Sequence, residues 1–282
     1  MKLTIGICTY NRKNIIEYTS KSLKEINNIE CANVKIYDDS SVEYDINYLK
    51  KLYPMAKKIN RTQENLGADY NTQKMYEDFL KSEDEYLFNA DSDLIFNKDI
   101  LTIIEKNINI LKKANKPVVF SVFNTSKHKT IKDFDENLCI KHSVGAAGVV
   151  FSKEVIKMFV NKIPPKYSVQ IPSIDHCFCD ILRKNKYDIF CTKKSYVQHI
   201  GLIGQNSSGI NVDWGKDFTS DTLTNANAII EVLQGYLIND IPANICNLCE
   251  QGKVGSKTIV KALGLCVKFK IKNFCEKLKG KK

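Results

Sequence analysis

The 282-residue sequence has no apolar run near the roughly 20 residues needed to cross a bilayer as a helix. It has no Gly-x-x-x-x-Gly-Lys-Ser/Thr segment either, which argues against a phosphate-loop kinase or ATPase. No secretion signal opens it: Leu3–Cys8 is a short apolar stretch that runs straight into Thr9-Tyr10-Asn11-Arg12. The expectation is an intracellular protein whose ten cysteines are free thiols. Cys246-x-x-Cys249 lacks a second pair. His176, Cys177, Cys179 and Asp180 crowd one helix without facing one point, so no zinc site is expected. There is no internal repeat or extended low-complexity segment. With 43% hydrophobic and 26% charged residues, disordered, collagenous and coiled-coil classes are excluded.

Acid is nearly missing from the last thirty residues, where ten lysines stand against Glu276 alone. That tail holds +9 of the net +10, leaving +1 for the other 252 residues. A neutral body argues against a nucleic-acid partner, and a basic appendage suits an anionic surface. Over 256–279, Lys257, Lys261, Lys268, Lys272 and Lys279 share one helical face. Val260, Leu263, Val267, Ile271, Phe274 and Leu278 share another. An amphipathic helix on the cytoplasmic membrane face is expected, the alternative being a helix packed on the body.

What is present alternates. Strand-like runs at 2–9, 34–37, 57–60, 86–88 and 117–122 are separated by helix-like spacings at 13–26, 44–53, 68–80 and 99–114. The second half offers strands at 144–151, 187–191 and 196–200, helices at 153–160 and 174–183, a polar loop over 201–222 and a helix at 223–237. The expected fold class is α/β, a mostly parallel sheet with helices on both faces. Ligands in such sheets bind beyond the carboxyl ends of the strands. Two strands end there in acids, Asp38-Asp39 and Asp91-Ser92-Asp93. Paired carboxylates are hard oxygen ligands suited to Mg²⁺ or Mn²⁺, although an isolated Asp-x-Asp is also a common solvated turn.

The order of motifs resembles the GT-A fold nucleotide-sugar glycosyltransferases, especially the inverting family 2. Thr9-Tyr10-Asn11-Arg12 follows the first strand, Asp38-Asp39-Ser40-Ser41 the second, and Asn65-Leu66-Gly67 precedes a helix. Asp91-Ser92-Asp93, the small-residue segment Gly145–Ser152, Ile174-Asp175 and His199-Ile200-Gly201 complete the series over about residues 3–205. The resemblance implies a catalytic domain over 1–222, with a nucleotide half to about 122 and an acceptor half after it, then a helical region over 223–282.

It implies a UDP-sugar donor and a saccharide or lipid-linked oligosaccharide acceptor, as in capsule or lipopolysaccharide synthesis. Asp93 would be the direct metal ligand and Asp91 would face ribose and metal. His199 would reach the metal or the diphosphate, or else be an ordinary edge histidine. Asp39 would accept from the base imide, and Thr9, Tyr10 and Arg12 would line the base and ribose pocket. Asn65, Gly67 and Gly148 would also touch the nucleotide sugar. Asp175 would be the base that takes the acceptor proton, although Ser173 or Asp175 could simply cap the helix, and Asp180 is the reserve. A sugar-nucleotide nucleotidyltransferase is the alternative, disfavoured because no glycine-rich loop follows the first strand. A membrane-tethered binding module is disfavoured by the retained acids.

Overall fold

The computed structural model describes residues 1–163, 173–201, 203–204, 207–208 and 213–236. The tail expected to form an amphipathic helix and the Cys246/Cys249 pair lie outside these residues. In chain order the elements are β1 (Leu3–Thr9), α1 (Lys13–Lys24), β2 (Asn33–Asp38), α2 (Ile46–Leu52), β3 (Lys58–Arg61), α3 (Ala68–Leu80), β4 (Tyr86–Asp91) and β5 (Leu94–Phe96). There follow α4 (Ile100–Lys113), β6 (Val119–Ser121), β7 (Thr130–Asp133), β8 (Leu138–Lys141), β9 (Val149–Ser152) and α5 (Lys153–Phe159). The last are α6 (Ile174–Lys184), β10 (Ile189–Thr192), β11 (Val197–His199), β12 (Ile203–Gly204), β13 (Ser207–Ser208) and α7 (Leu223–Gly235).

Nine strands form one sheet in the order β3-β2-β1-β4-β9-β6-β10-β8-β7. Only β8 and β9 run against the rest, so the sheet is mostly parallel in direction, as expected. Side-chain alternation along the strands builds two cores. Ile5, Ile7, Ile36, Phe88 and Phe120 face α1, α2 and α4. Leu87, Val119, Phe151 and Ile189 face α3, α5 and α6. Residues Met1–Ile200 and Asp213–Ala226 form one compact unit, and Gly201–Val212 with Asn227–Lys282 a second. Of the second, the short β12–β13 pair and the part of α7 from Asn227 are described.

Several sequence expectations shift. The helix expected from Tyr44 begins at Ile46, because the Asp45 side chain caps it by accepting from Tyr48 N at 2.7 Å. The small-residue strand expected over 144–151 narrows to β9, since Gly148 turns the chain at φ +78°. β5, β7 and β8 were not expected, and 201–222 contains the β12–β13 pair.

Two contacts set the seat of α3, which packs over β1 and β2. Gly6 of β1 lets Met75 approach: a Cβ there would lie 2.2 Å from Met75 Sδ and 3.3 Å from Leu87 Cδ1. Asp78 of α3 accepts from the Tyr37 hydroxyl at 2.7 Å and pairs with Lys35 at 3.2 Å and Lys58 at 2.9 Å. At the opposite edge of the sheet, buried Asp84 accepts from Thr4 Oγ1 at 2.5 Å and from Asn33 Nδ2 at 2.8 Å, joining β1 to β2.

Gly6→Ala should lower stability in urea unfolding by about 1–3 kcal/mol through overpacking. Burial pushes the Asp78 carboxyl up, but Tyr37, Lys58 and Lys35 outweigh it and hold the group at about 2. A lowered folded-state value means the stabilisation is complete above the unfolded value of 3.8 and is lost as pH falls towards 2. Asp78→Asn should therefore flatten the fall in melting temperature across that acid window and lower it at neutral pH.

Candidate functional site

Parallel β1, β2 and β4 bring their carboxyl ends to one edge, and β1 fixes both acidic turns. Cys8 stands opposite Asp91 and Thr9 opposite Asp38. The ladder continues past the strand ends: Asp39 N donates to Thr9 O at 3.0 Å and Ser92 N to Cys8 O at 3.1 Å. Thr19 of α1 donates to Ser92 O at 2.8 Å, holding the second turn from the side.

The chain then reverses into β5, which pairs antiparallel with β11 in the register His199↔Leu94. Ile200 N donates to Asp93 O at 2.8 Å. The clip delivers His199 Nε2 to 3.2 Å from Asp93 Oδ2. Arg12 Nη1 approaches the same oxygen at 2.9 Å. Arg12 and Asn11 both adopt left-handed backbone, φ 57° and 51°. The strain is held by Asn11, whose N donates to Ser41 Oγ at 2.8 Å and whose Oδ1 accepts from Val42 N at 2.8 Å.

Electrostatics divide the two acids. Burial and the charge of Asp93 push Asp91 up to about 7, with Asp175 adding to the push and His199 and Arg12 opposing it. Burial also works against the charged form of Asp93, but His199 and Arg12 hold it below the usual carboxylate range. His199 is pulled down by burial, yet Asp93 leaves it raised overall. Asp93 is therefore the anion of the cluster, and its carboxylate is only 6% exposed.

Residues around the first acidic turn have more structural work than their motifs suggest. Buried Asp39 accepts from Thr62 Oγ1 at 3.1 Å, Leu66 N at 2.9 Å and Gly67 N at 2.7 Å, so it organises the 62–67 loop. Gly67, at φ +97°, starts α3, and Asn65 is exposed on that loop. Thr9 Oγ1 lies 2.6 Å from the Tyr44 hydroxyl, which donates to Asn11 O, and Tyr10 is half-buried just beyond. Arg61 pins the turn by pairing with Asp38 at 2.7 Å and donating to Tyr44 O at 3.1 Å. Tyr44 and Arg61 went unnoticed in the sequence because neither belongs to a motif. Gly148 is explained by packing: its φ is positive and a Cβ would meet Phe123 Cβ at 3.0 Å and Val197 Cγ2 at 3.3 Å.

Asp175 stands in the first turn of α6, partly buried, bonded to Ser173 Oγ and accepting from His176 N at 2.9 Å. Its charge is felt at Asp91. Asp180 is exposed and paired with Arg183 on the same helix, so it points to different company.

Among the described residues no three His, Cys, Asp or Glu groups form a ready-made metal cage. A divalent cation that also binds a diphosphate needs less, since Mg²⁺ is commonly held by one or two carboxylates plus phosphate oxygens. Asp93 fits that requirement: its Oδ1 is buried without a hydrogen-bond partner. Asp91 and His199 would complete the protein's share.

No protein-family model matches the chain, and no curated protein is similar to it in sequence. Solved structures are similar in fold. Against the crystal structure of S. aureus TarS the TM-score is 0.53 at 15% identity, over 85% of this chain and 40% of that one. This chain thus spans less than half the length of TarS. Against S. aureus TarS 1–349 in complex with UDP-GlcNAc the TM-score is 0.53 at 15% identity, covering 95% of this chain and 81% of the other. The likeness is one of fold, and the architecture is of the GT-A type that the motif order led us to expect.

Proposed function

We propose that the chain is a metal-dependent, inverting glycosyltransferase that moves a sugar from a UDP-sugar to a saccharide hydroxyl. The observation that carries this is a buried Asp93 with one unpartnered oxygen, joined by Asp91, His199 and Arg12 at the carboxyl edge of a GT-A type sheet. The TarS complex with UDP-GlcNAc makes that nucleotide sugar the first donor to try.

A Mn²⁺ or Mg²⁺ ion held by Asp91, Asp93 and His199 would supply Lewis-acid stabilisation of the charge that develops on the leaving diphosphate. The chain's own residues do the rest. Asp39 fixes the 62–67 loop where base and ribose bind, with Thr9, Tyr10, Asn65 and Gly67 around it. Arg12 offers a guanidinium to the diphosphate. Asp175 takes the proton from the acceptor hydroxyl as its oxygen attacks the anomeric carbon on the face opposite UDP. A lipid-linked acceptor would explain the basic tail, whose several lysines each contribute roughly 1 kcal/mol near anionic lipid. On that reading the protein works at the cytoplasmic face of the membrane.

Incubated with UDP-GlcNAc and Mn²⁺, the full-length protein should release UDP slowly, and EDTA should stop the release. Asp93→Ala should abolish it while melting cooperatively; a wild-type rate for this variant in EDTA would overturn the proposal. Asp175→Asn should slow transfer by about 10²–10⁴ with UDP–Mn²⁺ binding little changed, as read by calorimetry. Equal losses of rate and affinity would mark Asp175 as structural. Liposomes containing anionic lipid should sediment the full chain in a salt-sensitive manner and not a chain lacking 253–282. Equal sedimentation of both would remove the membrane role.

A further inference from the structure

We infer that Arg12 is an exchangeable counter-ion: it neutralises Asp93 until a diphosphate draws it away, so that divalent cation and nucleotide bind together and the cation alone binds poorly. The inference rests on the donor-site reading above but concerns binding, not turnover.

Three observations support it. Arg12 and His199 both approach Asp93 Oδ2, at 2.9 and 3.2 Å, while Oδ1 of the same carboxylate is buried with no partner. The acid is thus paired on one side only, and a cation reaching Oδ1 meets a guanidinium held on the neighbouring oxygen. Next, the backbone beneath Arg12 is held by hydrogen bonds of its own, while the guanidinium is held through its ion pair with Asp93. Arg12 O accepts from Ile15 N and Ile16 N, at 2.9 and 3.1 Å, and its neighbours Asn11 and Lys13 are tied to the 41–43 loop. The side chain is 33% exposed against 6% for Asp93, so the guanidinium can swing towards water from an unmoving base. Last comes the charge count. Asp91 and Asp93 supply at most two negative charges, and Arg12 cancels one. A divalent ion added alone on Asp93, beside the guanidinium, puts excess positive charge around that one carboxylate in a poorly solvated place, where like charges repel strongly. A diphosphate arriving with the ion removes that excess and gives the guanidinium a bidentate partner in exchange for Asp93.

Coupling of this kind is reciprocal and typically changes affinity about 5- to 150-fold. Mn²⁺ binding to the full chain is measured by calorimetry and by loss of the free-ion electron-spin resonance signal, with and without UDP. Wild type should bind Mn²⁺ weakly alone and at least about fivefold more tightly with UDP. Arg12→Gln should bind Mn²⁺ alone more tightly than wild type, with a smaller gain from UDP. Arg12→Lys keeps the charge and should stay near wild type. Asp93→Asn should lose the site.

If Arg12→Gln bound Mn²⁺ alone no better than wild type, the counter-ion role would be overturned and Arg12 would be a diphosphate ligand only. Should Arg12→Gln fail to fold, an Arg12→Lys protein binding Mn²⁺ alone much more tightly than wild type would overturn it equally. Absence of Mn²⁺ binding in wild type even with UDP would overturn the metal assignment and this inference with it. UDP release failing while Mn²⁺ binding behaves as described would overturn the transferase reading and leave the exchange standing.

Discussion

A carboxylate withdrawn from water must be paired or protonated, because an isolated buried charge costs several kcal/mol or more. Asp93 is such a group, and much of the surrounding structure follows from keeping it ionised. Arg12 reaches it from a left-handed backbone that a non-glycine residue adopts at a cost of about 1–2 kcal/mol. His199 reaches it through the antiparallel β5–β11 pair. With Arg12 and His199 both on one oxygen and neither on the other, Asp93 is held charged without being fully satisfied. Its neighbour Asp91 takes the opposite course and is pushed towards the neutral form by burial and by the charge of Asp93. Two acids separated by a single serine thereby acquire different chemistry.

The geometry behind this depends on β1. It lies between β2 and β4, in register with both, and its carbonyls at Cys8 and Thr9 accept from the first residues of the two acidic turns. Bringing the turns together therefore needs no direct contact between them. Gly6 lets α3 sit close over the same strand, and Asp78 ties that helix to β2 and β3. Packing on one face and backbone hydrogen bonding at the edge act on a single strand.

The sheet and its helices were legible because long periodic segments dominate them. Ile100, Ile104, Ile108 and Leu111 of α4 are all buried on one face, as the spacing required. The acids of the candidate site were legible because they end buried strands. β5 was not, since three apolar residues after an Asp are below any periodic signal, and only pairing with β11 makes them a strand. The route by which His199 meets Asp93 was therefore hidden although both residues were named. Arg61 and Tyr44 were hidden for a related reason: their partners, the Asp38 carboxylate, backbone carbonyls and the Thr9 hydroxyl, are distant in sequence. Asp39 shows a motif residue with a structural task, for its oxygens hold loop 62–67.

The two ends of β1 are both marked by buried acids, but the acids differ in kind. Asp84, at the amino end, has its oxygens taken by Thr4 and Asn33, and no unpartnered oxygen is found on it. Asp93, near the carboxyl end, keeps one buried oxygen without a partner. The first end works as a rivet and the second as a socket, about a strand's length apart. The socket can therefore change its occupant while the rivet keeps the strands in register. Changes at Thr4, Asn33 or Asp84 would disturb that register whatever the socket holds.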